Sequence, residues 1–257
     1  MTNLDRETAT AEELSPTEMQ RIVDEHEFWY HTMDLAPGVT TPGWFDLRGV
    51  ISKMPWPNVK GKRCLDIGTW DWPPDYRDAE LQRDIGFSGP PKGAGFRLAK
   101  ELTGSEVDWR PISIYDLDPV ELGTFDVVVC GSLLLHLRDP IRALEAVRSV
   151  TSGVFLSSEQ IELWLSVLNR GKPRFTLNGS GKDCQWWNFN AAGHRRMLYA
   201  AGFAIERTSK PYIVEFNVHP DPPPTPRNLV DRAGQWALTR AERPGILHRA
   251  ILARPRV

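Results

Sequence analysis

The feature that most constrains this chain is the segment from Lys62 to Asp71, with the sequence KRCLDIGTWD. A basic lead-in, a short apolar run and then Asp66-Ile67-Gly68 predict a buried strand that ends on a glycine turn. In an open α/β sheet such a turn lies at the carboxyl end of a strand, where ligands bind. The segment therefore predicts the first strand of a nucleotide-type fold.

The composition is that of an ordinary globular protein. The 257 residues are 41% hydrophobic and 25% charged, which is enough chain for one large or two small domains. No apolar run approaches the roughly 20 residues of a membrane span, and the acidic amino terminus is unlike a signal peptide, so we expect a cytoplasmic protein without a membrane partner. Cys64, Cys130 and Cys184 lack metal-ligand spacing, which predicts reduced core residues, no metal site and no disulfide framework.

Charge is distributed unevenly along the chain. Residues 1–27 carry eight acids and two arginines, whereas residues 227–257 carry seven arginines and two acids. Solvated faces are the simpler interpretation of this asymmetry. A basic edge that binds RNA is the alternative.

The amino-terminal part predicts a helix followed by an aromatic loop. Ser15-Pro16-Thr17-Glu18 has the pattern of a helix start, and the helix should run to about Phe28. Turn residues interleaved with large aromatics then predict an ordered loop from Trp29 to Arg48. Either its tryptophans plug the base of the domain, or the loop is a lid that places Tyr30, His31 and Trp44 near the substrate.

The remainder of the chain alternates between strand and helix patterns. This alternation predicts an α/β fold with a doubly wound, mostly parallel, Rossmann-like sheet. We divide the chain into an N-terminal helix and aromatic cap (1–54) and a Rossmann-like domain (55–257), with a proline-rich spacer at 219–228. The predicted elements are helices at 93–102, 140–150 and 191–201 and strands at 107–115, 125–130, 153–157, 203–206 and 245–253.

The segment 69–92 does not match this regular pattern. A βαβ unit requires a crossover helix and a second strand directly after the first strand. Pro73 and Pro74 prevent a helix from continuing there, and residues 78–85 are polar without strand-like alternation. The sequence therefore predicts that the first crossover helix and the second strand are missing, as after an internal deletion.

Several motifs taken together resemble a known family. They are Trp29 to Leu35, Thr41 to Asp46, Cys64 to Gly68, Phe125 to Pro140 and Asn190 to His194. In this order they resemble a bacterial branch of the class I S-adenosylmethionine-dependent methyltransferases. That branch is related to the tRNA wobble-uridine (carboxymethoxyuridine) enzymes that use carboxy-S-adenosylmethionine, and the likeness covers about residues 28–210.

The resemblance implies a cofactor site and assigns residues to it. Asp66, Gly68 and Thr69 match the turn that binds the methionine part of S-adenosylmethionine, and Asp116 matches the acid that meets the adenine amino group. The turn that lines the methyl-transfer site corresponds to Gly131 and Ser132. We therefore expect Asp66, Gly68, Asp116 and Gly131 to line one crevice.

The resemblance also suggests catalytic candidates. His136 and His31 are possible bases, and Tyr30 is a further catalytic candidate. Alternatively, His136 could be a hydrogen-bonding residue at a helix entry. Asp116 could likewise be only part of a turn. In the tRNA enzymes a tyrosine precedes the matching histidine, whereas this chain has Leu135. This departure argues against carboxymethyl transfer.

Two functional hypotheses follow. The first is a methyltransferase that uses S-adenosylmethionine to methylate an oxygen or nitrogen of a small molecule or of a tRNA base, with cofactor binding weakened by the gap at 69–92. The second is a non-catalytic remnant that acts as an RNA-binding or interaction protein. A nicotinamide-dependent dehydrogenase ranks below both, because no Gly-x-Gly-x-x-Gly follows the first strand.

Overall fold

A computed structural model describes residues 14–68, 93–177, 185–217, 229–240 and 243–256, with only the backbone described at 229–232. Its helices are α1 (Pro16–Glu25), α2 (Ala94–Leu102), α3 (Pro119–Leu122), α4 (Pro140–Val150), α5 (Leu163–Leu168), α6 (Ala191–Ala200) and α7 (Leu229–Thr239). Its strands are β1 (His31–Thr32), β2 (Asp34–Ala36), β3 (Val39–Thr40), β4 (Phe45–Asp46), β5 (Cys64–Ile67), β6 (Phe125–Gly131), β7 (Thr151–Gln160), β8 (Phe175–Leu177), β9 (Trp187–Phe189), β10 (Phe203–Thr208), β11 (Tyr212–Phe216) and β12 (Gly245–Pro255). Short 3-10 helices occupy Ile51–Lys53, Ile114–Asp116 and Leu134–His136.

One large sheet organises the molecule, in the strand order β1-β4-β11-β12-β7-β6-β5. Strands β5, β6 and β7 are parallel, and their register places Ile67 opposite Cys130 and Cys130 opposite Ser157. Strand β12 runs antiparallel to β7, with His248 opposite Gln160. The amino-terminal part of β12 therefore lies at the edge of the sheet where β5, β6 and β7 end.

Strand β12 pairs on its other side with two strands in succession. Strand β10 pairs with the second half of β12 and β11 with the first half, both antiparallel. Beyond β11 the sheet continues into the amino-terminal segment, because Phe45 and Asp46 of β4 pair with Phe216 and Glu215. The amino-terminal segment is thus part of the main sheet, although the division of the chain at residue 54 stays a prediction.

The two faces of the sheet are buried by different parts of the chain. On one face, Leu144 and Val147 of α4 and Leu198 of α6 pack with Phe155 and Phe203. The other face carries Leu156, Tyr212 and Leu252, and it is covered by residues of the amino-terminal segment that include Trp44, Phe45, Val50 and Trp56. Burial of both faces explains why the central strands consist of nearly continuous apolar runs.

The predicted start of α1 is confirmed. The Ser15 hydroxyl accepts the Glu18 N–H while the Glu18 carboxylate accepts the Ser15 N–H, which satisfies two helix-end donors reciprocally. The helix ends at Glu25, three residues before the predicted end. Trp29 then buries its ring beside α1 and α2, and its Nε1–H donates to the Val23 carbonyl at 2.9 Å.

Two predictions are wrong, one about a strand and one about a cysteine. Residues 107–113 form no strand, and only the 3-10 helix Ile114–Asp116 follows them; Pro111 has no N–H for a ladder, and Val107 and Ile112 are exposed. Cys64 is exposed, so it is not a core residue, whereas Cys130 is buried. Cys184, the segment 69–92 and the spacer at 219–228 lie outside the described residues.

The sequence patterns also missed several elements. Strand β11, helix α5, helix α7 and the hairpin of β8 and β9 were not predicted. Among the described residues, no helix is long and apolar enough to cross a membrane. The same residues contain no cluster of three or more His, Cys, Asp or Glu side chains placed to hold a metal ion.

Candidate functional site

The carboxyl ends of β5 and β6 lie side by side at one edge of the sheet, with Gly68 and Gly131 exposed there; this edge is where the predicted crevice would lie. Gly68 turns the chain after β5 with φ +100°, a conformation that favours glycine. A Cβ added at Gly131, at the end of β6, would meet only the Ser158 carbonyl oxygen, at 3.9 Å. A Cβ added at Gly68 would contact the Leu133 side chain at 3.4–3.8 Å, so the open space that a ligand needs to approach the main chain lies beside Gly131.

Asp66 lies on β5, opposite Val129 of β6. Desolvation by the surrounding protein raises the pKa of its carboxyl to about 6, although part of the residue stays exposed, and the Ile67 N–H opposes this shift by hydrogen bonding. Since the group is still accessible, an ammonium group of a ligand could bind to it and favour its ionised form.

Ser132 follows Gly131 in a strained backbone conformation. Its φ is +51°, and Arg240 is the other non-glycine residue with positive φ in the described part of the chain. Such a conformation costs an L-residue about 1–2 kcal/mol. Hydrogen bonds hold the turn, since the Ser132 N–H donates to the Ser158 carbonyl at 2.8 Å and Oγ lies 2.7 Å from Nε2 of His248.

His248 has a defined orientation on β12. Its Nδ1 lies 2.9 Å from the Ile246 carbonyl oxygen, which can only accept a hydrogen bond. In the neutral ring this assigns the proton to Nδ1 and leaves Nε2 as the acceptor for the Ser132 hydroxyl. The ring of Tyr212 stacks on the imidazole at a centroid distance of 6.0 Å, and the Tyr212 hydroxyl lies 2.6 Å from Oγ of Ser158.

Glu159 is a buried carboxyl group at the end of β7. It has no solvent exposure, and its two oxygens accept the N–H groups of Leu133 and Leu134 at 3.3 and 3.2 Å. Desolvation raises its pKa to about 8 and outweighs the opposing effect of these two hydrogen bonds. The same carboxyl and Asp66 add to burial in raising the pKa of Cys130.

The predicted residues Gly68, Gly131 and Ser132 do lie together at this edge. His136 is half-buried in the 3-10 helix that begins at Leu134, and its N–H donates to the Leu133 carbonyl at 2.9 Å. Asp116 is exposed on a 3-10 helix beside the start of α4, where the Tyr115 hydroxyl accepts the Asp139 N–H at 3.2 Å. Thr69 lies outside the described residues, and the ligand contacts of all these residues stay predictions.

Tyr30 and His31 lie in the amino-terminal segment, in an aromatic cluster on the covered face of the sheet. Tyr30 makes an edge contact with His31 at a centroid distance of 4.7 Å and packs on Phe45 at 5.0 Å. Burial raises the pKa of Tyr30 and lowers that of His31 to about 4. Both groups are therefore neutral near pH 7. The burial of Trp29 favours the interpretation that the tryptophans of the loop plug the base of the domain, and a lid over the crevice stays a prediction.

The sequence interpretation missed the polar residues His248, Glu159 and Tyr212. A signal for Glu159 was available, because the run Ser157-Ser158-Glu159-Gln160 follows a strongly apolar strand. His248 was a single histidine within a predicted strand, a pattern that does not indicate a partner. Only the pairing of β12 with β7 reveals its neighbours.

The comparisons with known proteins agree with this architecture. No protein-family model matches the chain. It is 36% identical over 87 residues to a ubiquinone biosynthesis O-methyltransferase of Xanthomonas axonopodis pv. citri, which covers 34% of each protein. It is 30% identical over 144 residues to the protein of the same name from Pseudomonas aeruginosa, covering 52% of this chain and 58% of that one. The chain thus spans between about a third and three-fifths of the length of these curated relatives.

Among solved structures, the N-terminal domain of EvdMO1 with SAH bound matches with a TM-score of 0.50 and 16% identity, over 95% of this chain and 98% of that one. The fold is a Rossmann-like methyltransferase fold. This confirms the predicted fold class. Neither the tRNA-modifying branch nor the internal deletion is confirmed by these comparisons.

Proposed function

We propose that this protein is an S-adenosylmethionine-dependent methyltransferase that methylates an oxygen or nitrogen of a small molecule. The observation that carries the proposal is the edge where two parallel strands end side by side, with a left-handed glycine turn at Gly68 and open space beside Gly131. Ligands of open α/β sheets bind at this edge. The names of the two sequence relatives favour oxygen as the acceptor atom.

The described residues fit the methionine part of the cofactor. Asp66 would accept the α-ammonium group, the glycine turn at Gly68 would shape the end of β5, and the open space beside Gly131 would allow close approach of the methionine chain. When bound, the cofactor supplies an electrophilic methyl group on a sulfonium. The protein's task is then to hold the acceptor in line with that methyl group, next to Ser132, and to exclude water.

The further predicted residues have secondary roles in this proposal. Asp116 would contact the adenine end from its exposed 3-10 helix, and Thr69 would extend the turn after Gly68. His136 is a candidate base because it lies close in sequence to Ser132, whereas His31 is neutral and packs against the Tyr30 ring. Carboxymethyl transfer is disfavoured by Leu135.

The carboxyl-terminal arginines favour a small molecule over tRNA. Arg243 pairs with Glu215 and Arg254 with Glu206. Arg249 donates to the Ser209 carbonyl and Arg256 to the Tyr199 carbonyl. The carboxylates neutralise Arg243 and Arg254, and the carbonyl bonds occupy donors of Arg249 and Arg256, so these four side chains are less available to phosphate.

Calorimetric titration with S-adenosylmethionine and SAH tests the proposal. We expect measurable binding that is weaker than micromolar, because the sequence 69–92 contains no recognisable ribose-binding carboxylate. A charge-assisted hydrogen bond of that kind contributes about 1.5–3 kcal/mol, or roughly tenfold to a hundredfold in affinity. A micromolar affinity would show that Asp71, Asp75 or Asp78 replaces that carboxylate.

A pair of glycine variants locates the binding site. Gly131→Val should abolish binding by filling the crevice edge, whereas Gly49→Val, also at an open position, should bind like the wild type. Absence of binding in the wild type at millimolar ligand would refute the methyltransferase and favour the non-catalytic remnant. Equal binding by Gly131→Val would show that the cofactor does not occupy this edge.

A further inference from the structure

Ser132 and His248 form a hydrogen-bonded pair that ordinary packing does not require. The serine backbone is held at φ +51°, where glycine would be favoured, yet the residue carries a hydroxyl that reaches Nε2 of His248 at 2.7 Å. Strain of this kind is retained where the side chain is needed at that position. The pair connects the turn after β6 with a strand 116 residues further along the chain.

The Ile246 carbonyl fixes the direction of the two hydrogen bonds of the His248 ring. Because the Ile246 carbonyl accepts the Nδ1 proton, Nε2 of the neutral imidazole has its lone pair directed at the Ser132 hydroxyl. The hydroxyl proton then points to the histidine, and the oxygen of Ser132 retains lone pairs for a donor from the crevice.

Only the serine is in a position to meet a ligand. Ser132 is partly exposed and follows Gly131 at the crevice edge, whereas His248 is 3% exposed beneath it. Tyr212 encloses the imidazole from β11 and is itself packed against the amino-terminal segment. The histidine can therefore exchange a proton with the crevice through the serine hydroxyl without direct contact.

An alternative role as a covalent nucleophile is less consistent with the geometry. A serine nucleophile needs free backbone N–H donors to stabilise the oxyanion of its substrate. The donors that follow Ser132 are the N–H groups of Leu133 and Leu134, and both are bound by the Glu159 carboxyl. Proton transfer needs no such donors.

We propose that Ser132 and His248 form a proton relay that deprotonates the methyl acceptor. This inference rests on the proposed methyltransferase function. As the acceptor oxygen forms its bond to the methyl carbon, the carbon–sulfur bond breaks and its electron pair stays on sulfur. The acceptor proton moves to Oγ of Ser132, and the Ser132 proton moves to Nε2 of His248. Ser132 is the catalytic residue that touches substrate, and His248 is the positioning residue that receives the proton through it.

The surroundings of the imidazole allow it to take up a proton and release it again. The Ile246 carbonyl supports the protonated ring through the Nδ1–H. The other titratable or charged groups near it are Tyr212 on β11, Glu159 on β7, Arg249 on β12 and His194 on α6. Desolvation lowers the pKa of His194 to about 3, with smaller contributions from Arg249 and His248, so His194 stays neutral and adds no opposing charge.

Matched variants separate the relay from a structural role. His248→Asn places an amide N–H where Nδ1 donates but provides no base. Ser132→Gly removes the hydroxyl and relieves the backbone strain, whereas Ser132→Ala removes the hydroxyl and keeps the strain. The control is Ser152→Ala, since Ser152 lies at the other end of β7 and its hydroxyl donates to the Phe125 carbonyl.

The assay is single-turnover methyl transfer from labelled S-adenosylmethionine to catechol, with cofactor affinity measured by calorimetry for each variant. We expect His248→Asn, Ser132→Ala and Ser132→Gly to lose about a hundredfold or more in rate, the usual contribution of a general base. Cofactor affinity should change less than about threefold in His248→Asn, because His248 is buried beneath Ser132. Ser132→Gly should be as slow as Ser132→Ala although it is the more stable protein. With the cofactor saturating, so that protonation of Asp66 does not limit binding, the rate of His248→Asn should decline less at acidic pH than that of the wild type.

The outcomes distinguish the relay from the function on which it rests. A wild type that binds no cofactor refutes the methyltransferase function. Normal transfer by His248→Asn or Ser132→Gly overturns the relay while leaving that function intact. If catechol is not methylated, nitrogen-15 spectra of the His248 ring decide: protonated Nδ1 with unprotonated Nε2 supports the relay, and the opposite tautomer overturns it.

Discussion

Glu159 provides the sharpest test of the energetics of this site, through the substitution Glu159→Gln. The buried carboxyl releases its proton at about pH 8 in the folded protein, compared with the ordinary value of 4.5. Between these values the folded state binds more protons than the unfolded chain, so the free energy of unfolding falls as the pH rises. Glutamine occupies the same volume and does not titrate.

The magnitude follows from this difference in pKa. At about 1.36 kcal/mol per pKa unit the complete effect approaches 5 kcal/mol, of which roughly 1 kcal/mol has developed by pH 5. The wild type should therefore lose about 3 kcal/mol of stability between about pH 5 and pH 8 through this group alone. The variant avoids that loss, but its amide nitrogen faces one of the N–H groups of Leu133 and Leu134, which costs about 1–3 kcal/mol.

The two stability curves should therefore cross. Glu159→Gln should be the less stable protein near pH 5 and at least as stable as the wild type near pH 8. Urea unfolding followed by tryptophan fluorescence at intervals of one pH unit measures this, and Glu145→Gln, at an exposed position on α4, is the control. A constant difference between Glu159→Gln and the wild type across this range would show that the buried carboxyl does not keep its proton, and the reasoning would be wrong.

Four further predictions concern the amino-terminal segment. Trp29→Ala should lower the free energy of unfolding by about 3–5 kcal/mol, because it empties a buried site and removes the hydrogen bond to the Val23 carbonyl. Deletion of residues 1–48 should also lower the melting temperature, and an unchanged melting temperature of the deletion variant would show that the segment is detached. Gly43→Ala should lower the melting temperature much more than Gly49→Ala, because the added Cβ would lie 2.0 Å from the backbone carbonyl carbon of His31, whereas a Cβ at Gly49 meets nothing within 4 Å. Equal melting temperatures of the two variants would contradict the close approach of Gly43 to His31. The Arg48 hydrogen bond is the main cause that lowers the pKa of Asp46 to about 2, so the ionised carboxylate stabilises the fold above about pH 4 and loses that effect as the pH falls through 2. Asp46→Asn should therefore cost about 1–2 kcal/mol near pH 7 in urea unfolding and remove this acid dependence, and a cost that persists unchanged at pH 2 would refute it.

Local signals in the sequence predicted many of the elements correctly. The start of α1 at Ser15, of α4 after Asp139 and of α6 after Asn190 were all predicted, because a cap is completed by residues within one helical turn. Strand β6 was predicted from its run of β-branched residues, which suits a strand buried on both faces. In contrast, residues 107–115 have a strand-like composition but form no strand, because a strand also requires a neighbour and Pro111 withholds a donor.

For the site, the sequence by itself determined that Gly68 and Gly131 end two parallel strands, and the parallel rule then places them at one edge. Only the tertiary structure decided that His248 and Glu159 belong there too. The reason is the antiparallel register of β12 against β7, which brings the start of β12 level with the end of β7. A hydrogen bond of 2.7 Å between residues 116 positions apart depends on that register, and no local pattern around Ser132 or His248 encodes it.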